Sequence, residues 1–207
     1  MQTSLRTLCL LASAAALVCG QSKPNQLTKQ EKKEGWKLLF DGKSLKNWTP
    51  RSTSAPAENG NWSVSDGALL CPGDSAGWIS TPVASADYVL KLEFKGDANV
   101  NSGVFLRSTA EGQPHITGYE LQIWDHQPAG FNTGSLVGSL KASPTKIKGG
   151  EWNQYEITAK GDHYKIVFNG ATLLDASDAK HTAAGLVGFQ CQKNNKIEFR
   201  DVKLLAK

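Results

Sequence analysis

The sequence predicts an all-β fold, a sandwich or a barrel, on three observations. Short runs alternate apolar and polar residues in steps of two, Gly-, Asn- and Asp-containing turn signals separate them, and no amphipathic helix of full length intervenes. About a dozen such strands at regular spacing suit those two architectures. The 207 residues suffice for one domain with a substantial core. Twenty glycines and six tryptophans fit a turn-rich β protein. The formal charge of +4 is small and unclustered, so nucleic-acid binding has no support.

The first twenty residues read as a signal peptide rather than as fold. Arg6 precedes the apolar run Leu8–Val18, which is too short to span a bilayer comfortably. Cleavage after Gly20 leaves Gln21 first; lipidation of Cys19 is the alternative. The chain is thus expected to be exported, periplasmic or secreted, or lipid-anchored at Cys19, with no transmembrane segment in its mature form. Cys71 and Cys191 then remain, either as one disulfide or as two buried thiols.

Residues 21–34 are polar and lysine-rich, a linker with one helical turn near Thr28–Lys33, and residues 35–207 form the domain. Strands are expected at Trp36–Phe40, on both sides of Asp66-Gly67 within Asn61–Leu70, and at Trp78–Thr81, Tyr88–Lys95, Ser102–Ser108 and Gly118–Asp125. Thr109–Thr117 reads as a loop, and Ser135–Leu140 as a short strand. Trp152–Lys160, His163–Asn169 and Thr172–Asp175 form a meander, with Asn169-Gly170 as a hairpin turn. Gly185–Gln192 and Lys196–Leu205 close the chain.

Chemistry concentrates on Gly118–Asp125. With Tyr119, Leu121 and Ile123 inward, Glu120, Gln122 and Trp124 face outward. An acid, an amide and an indole on one face resemble the lining of a sugar site. Laying Tyr88–Lys95, Ser102–Ser108 and Gly118–Asp125 side by side sets Glu93 near Phe105, Arg107 near Glu120, and Phe105 near Gln122. Two carboxylates around an arginine can perform acid–base work, and the arginine can hold an oxyanion. The plainer reading is a cross-strand ion pair that decorates a sheet. His126, next to Asp125, falls at the rim. No phosphate loop or serine elbow occurs. A Ca²⁺ ion held by carboxylates and carbonyls near Asp125 is compatible with the sequence, although no ligand spacing demands it.

Five segments resemble the 3-keto-disaccharide hydrolase domain family. They are Gly35–Trp48 (GWKLLFDGKSLKNW), Asn101–Arg107 (NSGVFLR), Gly118–Asp125 (GYELQIWD), Gly149–Glu156 (GGEWNQYE) and Ile197–Lys203 (IEFRDVK). The resemblance implies a concanavalin A-like jelly-roll sandwich and an exported role in carbohydrate breakdown. Laminarinase-type glycosidases of similar fold carry Glu-x-Asp-x-x-Glu on a strand; here the stretch is Glu120-Leu-Gln122-Ile-Trp-Asp125. An amide is neither acid nor base, which argues against the paired-carboxylate route. A ketone at C3 of the sugar lowers the demand, because it acidifies the C2 hydrogen and allows elimination of the glycosidic oxygen. On that route Glu120 or Asp125 is the base and Arg107 or a bound cation the electrophile. Gln122, Trp124, Phe105, Glu93 and His126 bind the carbohydrate substrate. The competing functions are a non-catalytic carbohydrate-binding jelly-roll module and a structural protein of the cell envelope.

Overall fold

The computed structural model describes residues 23–52 and 58–207. The signal peptide at residues 1–20 and the candidate lipid attachment at Cys19 lie outside the described residues. The strands are β1 (Lys37–Leu38), β2 (Thr49–Arg51), β3 (Ser63–Ser65), β4 (Ala68–Cys71), β5 (Gly77–Ser85), β6 (Tyr88–Gly96) and β7 (Ser102–Ser108). They continue as β8 (Tyr119–Ile123), β9 (Asn153–Lys160), β10 (His163–Phe168), β11 (Ala171–Ser177), β12 (Gly185–Cys191) and β13 (Ile197–Ala206). Two short helices, α1 (Lys29–Glu34) and α2 (Pro114–Thr117), complete the set.

The strands form a jelly-roll sandwich of two antiparallel sheets. The first runs β11-β10-β9-β6-β13-β4-β3, with β1 also paired to β13; the second runs β2-β5-β12-β7-β8. Alternation explains the layers. Tyr88, Leu90, Leu92 and Phe94 of β6 point inward, and the residues between them are half-buried. From the second sheet come Val104 and Leu106 of β7, Tyr119, Leu121 and Ile123 of β8, and Val187 and Phe189 of β12. The layers meet in aromatic contacts, among them Phe189 stacked on Phe199 at 4.2 Å and on Trp48 at 5.2 Å.

The expected alignment of three consecutive strands is corrected. β6 lies in the first sheet and β7 in the second, so the loop between them crosses from layer to layer. Val100, buried in the core, forms the corner of that crossing. Thr109–Thr117, read as a loop, contains α2, and Ser135–Leu140 forms only isolated bridges, Leu121 to Leu136 and Leu136 to Leu140.

The lysine-rich N-terminal stretch is tied down. Thr28 and Glu31 close a capping box on α1, and Gly35 ends it in the left-handed region at φ 89°. Asn25 exchanges hydrogen bonds with Asp201. The buried ammonium of Lys203 pairs with Glu31 at 2.9 Å and Asp201 at 3.1 Å, so α1 is docked on β13.

Cys71 and Cys191 are bonded, with Cα atoms 5.6 Å apart. The bond joins β4 of the first sheet to β12 of the second and closes a sequence separation of 120 residues. Loop closure of that length restricts the unfolded chain by about 4–5 kcal/mol. The Cys71→Ala/Cys191→Ala double variant is therefore expected to lose several kcal/mol of stability in equilibrium urea unfolding. A loss near zero would show that the bond imposes no such restraint.

Candidate active site

The face of the second sheet that points away from the core carries the reactive groups. Phe105 lies directly opposite Glu120, and Gly103 opposite Gln122, across β7 and β8. On the other side of β7, Gly188 of β12 pairs with Phe105. Farther along, Gln190 pairs with Trp78 of β5, and Trp78 with Arg51 of β2. None of Phe105, Glu120, Gln122 and Trp78 belongs to the core between the sheets, yet all are buried. The chain beyond β8 folds back along it: Ser135 and Gln122 bond through their backbones, as do Val137 and Glu120.

Two glycines make room on this face. A Cβ at Gly103 would stand 2.7 Å from a Glu120 carboxyl oxygen, and one at Gly188 would stand 2.5 Å from the Trp78 ring. The missing side chains are what allow Glu120 and Trp78 to lie down against the sheet. Trp78 meets Phe105 edge-on at 5.5 Å, and the Arg51 guanidinium stands 5.6 Å from the Trp78 ring. Arg51 is itself held by the Ser80 hydroxyl at 2.7 Å and the Ala110 carbonyl at 3.1 Å.

Glu120 is only 8% exposed. Burial pushes its pKa up to about 7, against a lesser pull downward from a hydrogen bond with the Gln190 side chain. No cation contributes to that titration. The result is a carboxyl poised near neutrality by desolvation, the condition in which an acid can also serve as a base.

Arg107 does not meet Glu120. The register of β7 against β12 shifts between Leu186 and Gly188: Gly188 pairs with Phe105 but Leu186 pairs with Ser108, so β7 carries one extra residue. Arg107 sits in this bulge at φ 54°, and a bulge re-aims the side chain. Its guanidinium is swallowed at one end of the sandwich. Nε donates to the Ala86 carbonyl at 2.7 Å, and Nη1 to the Gly161 carbonyl (2.7 Å), the Tyr164 hydroxyl (2.6 Å) and the His181 carbonyl (2.9 Å). Nη2 lies 3.4 Å from Asp87. Arg107 is thus a joint among loops.

Glu93 is likewise elsewhere. It lies on β6 in the first sheet and pairs with Arg200 at 2.7 Å. Asp125 faces the loop after β8, where one carboxyl oxygen accepts from the Thr133 hydroxyl (2.6 Å) and the other from the Ile147 N–H (2.8 Å). Both oxygens serve that loop. Among the described residues no group of three or more His, Cys, Asp or Glu side chains converges on one point. Trp124 is half-buried just past β8, its backbone N–H donating to the Thr133 hydroxyl at 3.1 Å, and His126 is exposed. A depression of about 280 Å³ lined by Lys95, Gly96, Asp97, Gly150, Lys196 and Glu198 belongs to the first sheet and its loops, not to the face of Glu120.

Sequence reasoning missed Arg51 and Gln190. Each joins the site only through pairings across the sheet, β2 with β5 and β12 with β5, which no local pattern shows.

The profile of the 3-keto-alpha-glucoside-1,2-lyase-like domain matches residues 35–205. The chain belongs to this family. Its members are carbohydrate-active, which agrees with the acid, amide and aromatic groups gathered around Glu120. Two structures from Parabacteroides distasonis, provisionally described as glycosyl hydrolases, are similar over nearly their whole length. One is 24% identical with a TM-score of 0.74, covering 89% of this chain and 100% of its own. The other is 26% identical with a TM-score of 0.68, covering 83% and 99%. A carbohydrate-binding module of Bacillus subtilis, 17% identical with a TM-score of 0.59 over 76% of this chain and 94% of its own, shares the fold. No curated protein sequence matches the chain.

The position of Glu120 has a consequence for stability. Its folded-state pKa of about 7 exceeds the ordinary 4.5, so folding favours the protonated acid. Stability therefore falls as pH rises from about 4.5 to 7 and stays lower above it, by roughly 3 kcal/mol for a shift of this size. The Glu120→Gln variant, neutral at every pH, is expected to match the parent near pH 4 and to exceed it by up to that amount at pH 8, read by urea unfolding. An equal difference at both pH values would contradict a buried carboxyl.

Proposed function

We propose that the protein is an enzyme that cleaves the glycosidic bond of 3-keto-disaccharides or 3-keto-glucosides by elimination, with Glu120 as the base. The observation that carries this reading is the desolvated Glu120 carboxyl, poised at about 7 on a face built from Phe105, Trp78 and Gln190. The family match supports the substrate class.

A ketone at C3 makes the C2 hydrogen acidic. The Glu120 carboxylate takes that proton, and the electron pair delocalises onto the C3 oxygen as an enolate. Collapse of the enolate forms the C1=C2 double bond and breaks the bond from C1 to the glycosidic oxygen. The departing oxygen takes up a proton, which Glu120, now neutral, can return. Water addition across C1=C2 then completes a net hydrolysis. One carboxyl whose pKa lies near the working pH suffices, because it must both accept and release a proton. The amide at Gln122, which argues against a paired-carboxylate glycosidase, is no obstacle here. Residues 1–20 are proposed to direct export, which places the reaction in the periplasm or outside the cell.

The base must be ionised, so kcat/KM on a 3-keto-glucoside is expected to rise as pH passes through about 7. Glu120→Gln is expected to lower turnover by about 100-fold or more while the protein stays folded. Product analysis on the keto sugar and on its unoxidised parent reads both. Cleavage of the parent alone, or an active Glu120→Gln variant, would contradict the elimination route. Binding without cleavage would point to a non-catalytic module.

A further inference from the structure

Trp78 and Gln190 face each other across β5 and β12, a spacing at which their Cβ atoms lie about 4.5–5.5 Å apart. Both belong to the surroundings of Glu120. Trp78 packs edge-on against Phe105, the direct partner of Glu120, and the Gln190 amide hydrogen-bonds with Glu120. Trp78 is fully buried. Its Nε1 and the Gln190 Oε1 are both enclosed atoms with no hydrogen-bond partner. Buried polar groups are ordinarily satisfied, and each exception calls for an explanation. The three other orphan atoms among the described residues, on Trp62, Tyr88 and His181, do not form a donor beside an acceptor next to a reactive carboxyl.

An indole N–H can only donate, and an amide oxygen can only accept. The ligand that completes both must offer an acceptor and a donor on neighbouring atoms. A carbonyl flanked by a hydroxyl has that arrangement. Charge narrows the class further: no cation is among the influences on Glu120, and the Arg51 guanidinium stands over the indole, held by Ser80 and Ala110, so a ligand carboxylate set against Glu120 would meet a second negative charge.

Building on the proposed elimination, we propose that Trp78 Nε1 and Gln190 Oε1 bind the hydroxy-ketone edge of a neutral keto-sugar ring, with the indole N–H on the ketone oxygen and the amide oxygen taking the adjacent hydroxyl. Trp78 then occupies the electrophilic position that Arg107, drawn into the sandwich, does not fill: its N–H meets the oxygen on which enolate charge develops. Arg51, half-buried over the indole, is the group whose rotation opens the approach.

The test uses the Glu120→Gln protein, which holds the sugar without consuming it. Calorimetry compares methyl 3-keto-α-glucoside, methyl α-glucoside and methyl α-glucuronide. The keto sugar is expected to bind most tightly and the glucuronide most weakly. Adding Trp78→Phe or Gln190→Leu is expected to weaken keto-sugar binding about tenfold each. Thermal midpoints recorded for both variants separate a loss of fold from a loss of binding, since Gln190→Leu also removes the amide's hydrogen bond to position 120. Unchanged affinity in both variants, or equal binding of the glucuronide, overturns the proposal. If the Trp78 and Gln190 variants, with Glu120 intact, cleave the keto sugar at the parent KM, this inference fails and the function stands. If the parent protein neither binds nor cleaves the keto sugar, both fail together.

Discussion

One extra residue in β7 decides the electrostatics of this molecule. Gly188 of β12 pairs with Phe105, but Leu186 pairs with Ser108, and the surplus turns Arg107 into the left-handed region. A strict alternation would have placed the guanidinium on the same face as Phe105. The bulge sends it between the layers instead, where three carbonyls from separate loops, the Tyr164 hydroxyl of β10 and the Asp87 carboxylate receive it. The cost of an αL residue, of order 1–2 kcal/mol, is offset by charge-assisted bonds that would otherwise be buried and unmet. Glu120 is left without a cation, and its raised pKa follows from that absence together with burial.

The surroundings of Glu120 depend on positions well separated in sequence. Gly103 and Gly188 lend space from β7 and β12, Trp78 comes from β5, and Gln190 reaches in from the strand that the disulfide fastens to the opposite sheet. A side chain at Gly103 would collide with the carboxyl, and one at Gly188 would lift the indole. The site is therefore part of the second sheet rather than an ornament on it. A carboxyl kept on a structured, desolvated floor needs little reorganisation when a proton moves, which is the property that acid–base chemistry draws on.

Much of the fold was legible because the alternation in β6 and in the sequence of β8 is clear, and because Asp66-Gly67 and Asn169-Gly170 mark their turns plainly. Glu120 was legible for the same reason, as the polar residue between Tyr119 and Leu121 in a strand with an apolar inner face. The sheet assignment of β7 was not. The loop after Gly96 carries the signals of a hairpin and of a crossover alike, and only packing of Val100 at the corner distinguishes them. Hence Glu93 was placed beside Phe105 when it pairs with Arg200 on the other layer. The bulge at Arg107 has no local signature either, since its cause lies in the register of β12. Asp125 looked reactive as a carboxylate near Glu120, but its partners, Thr133 and Ile147, are brought by a loop whose path the sequence does not spell out.

The central claim is that Glu120 is a desolvated carboxyl held near neutrality. A ¹³C NMR titration of the glutamate carboxyls, with the Glu120→Gln spectrum identifying the resonance, measures it directly. The account predicts a midpoint at about 7. A midpoint in the ordinary range near 4.5 would contradict it, and with it the assignment of Glu120 as the base.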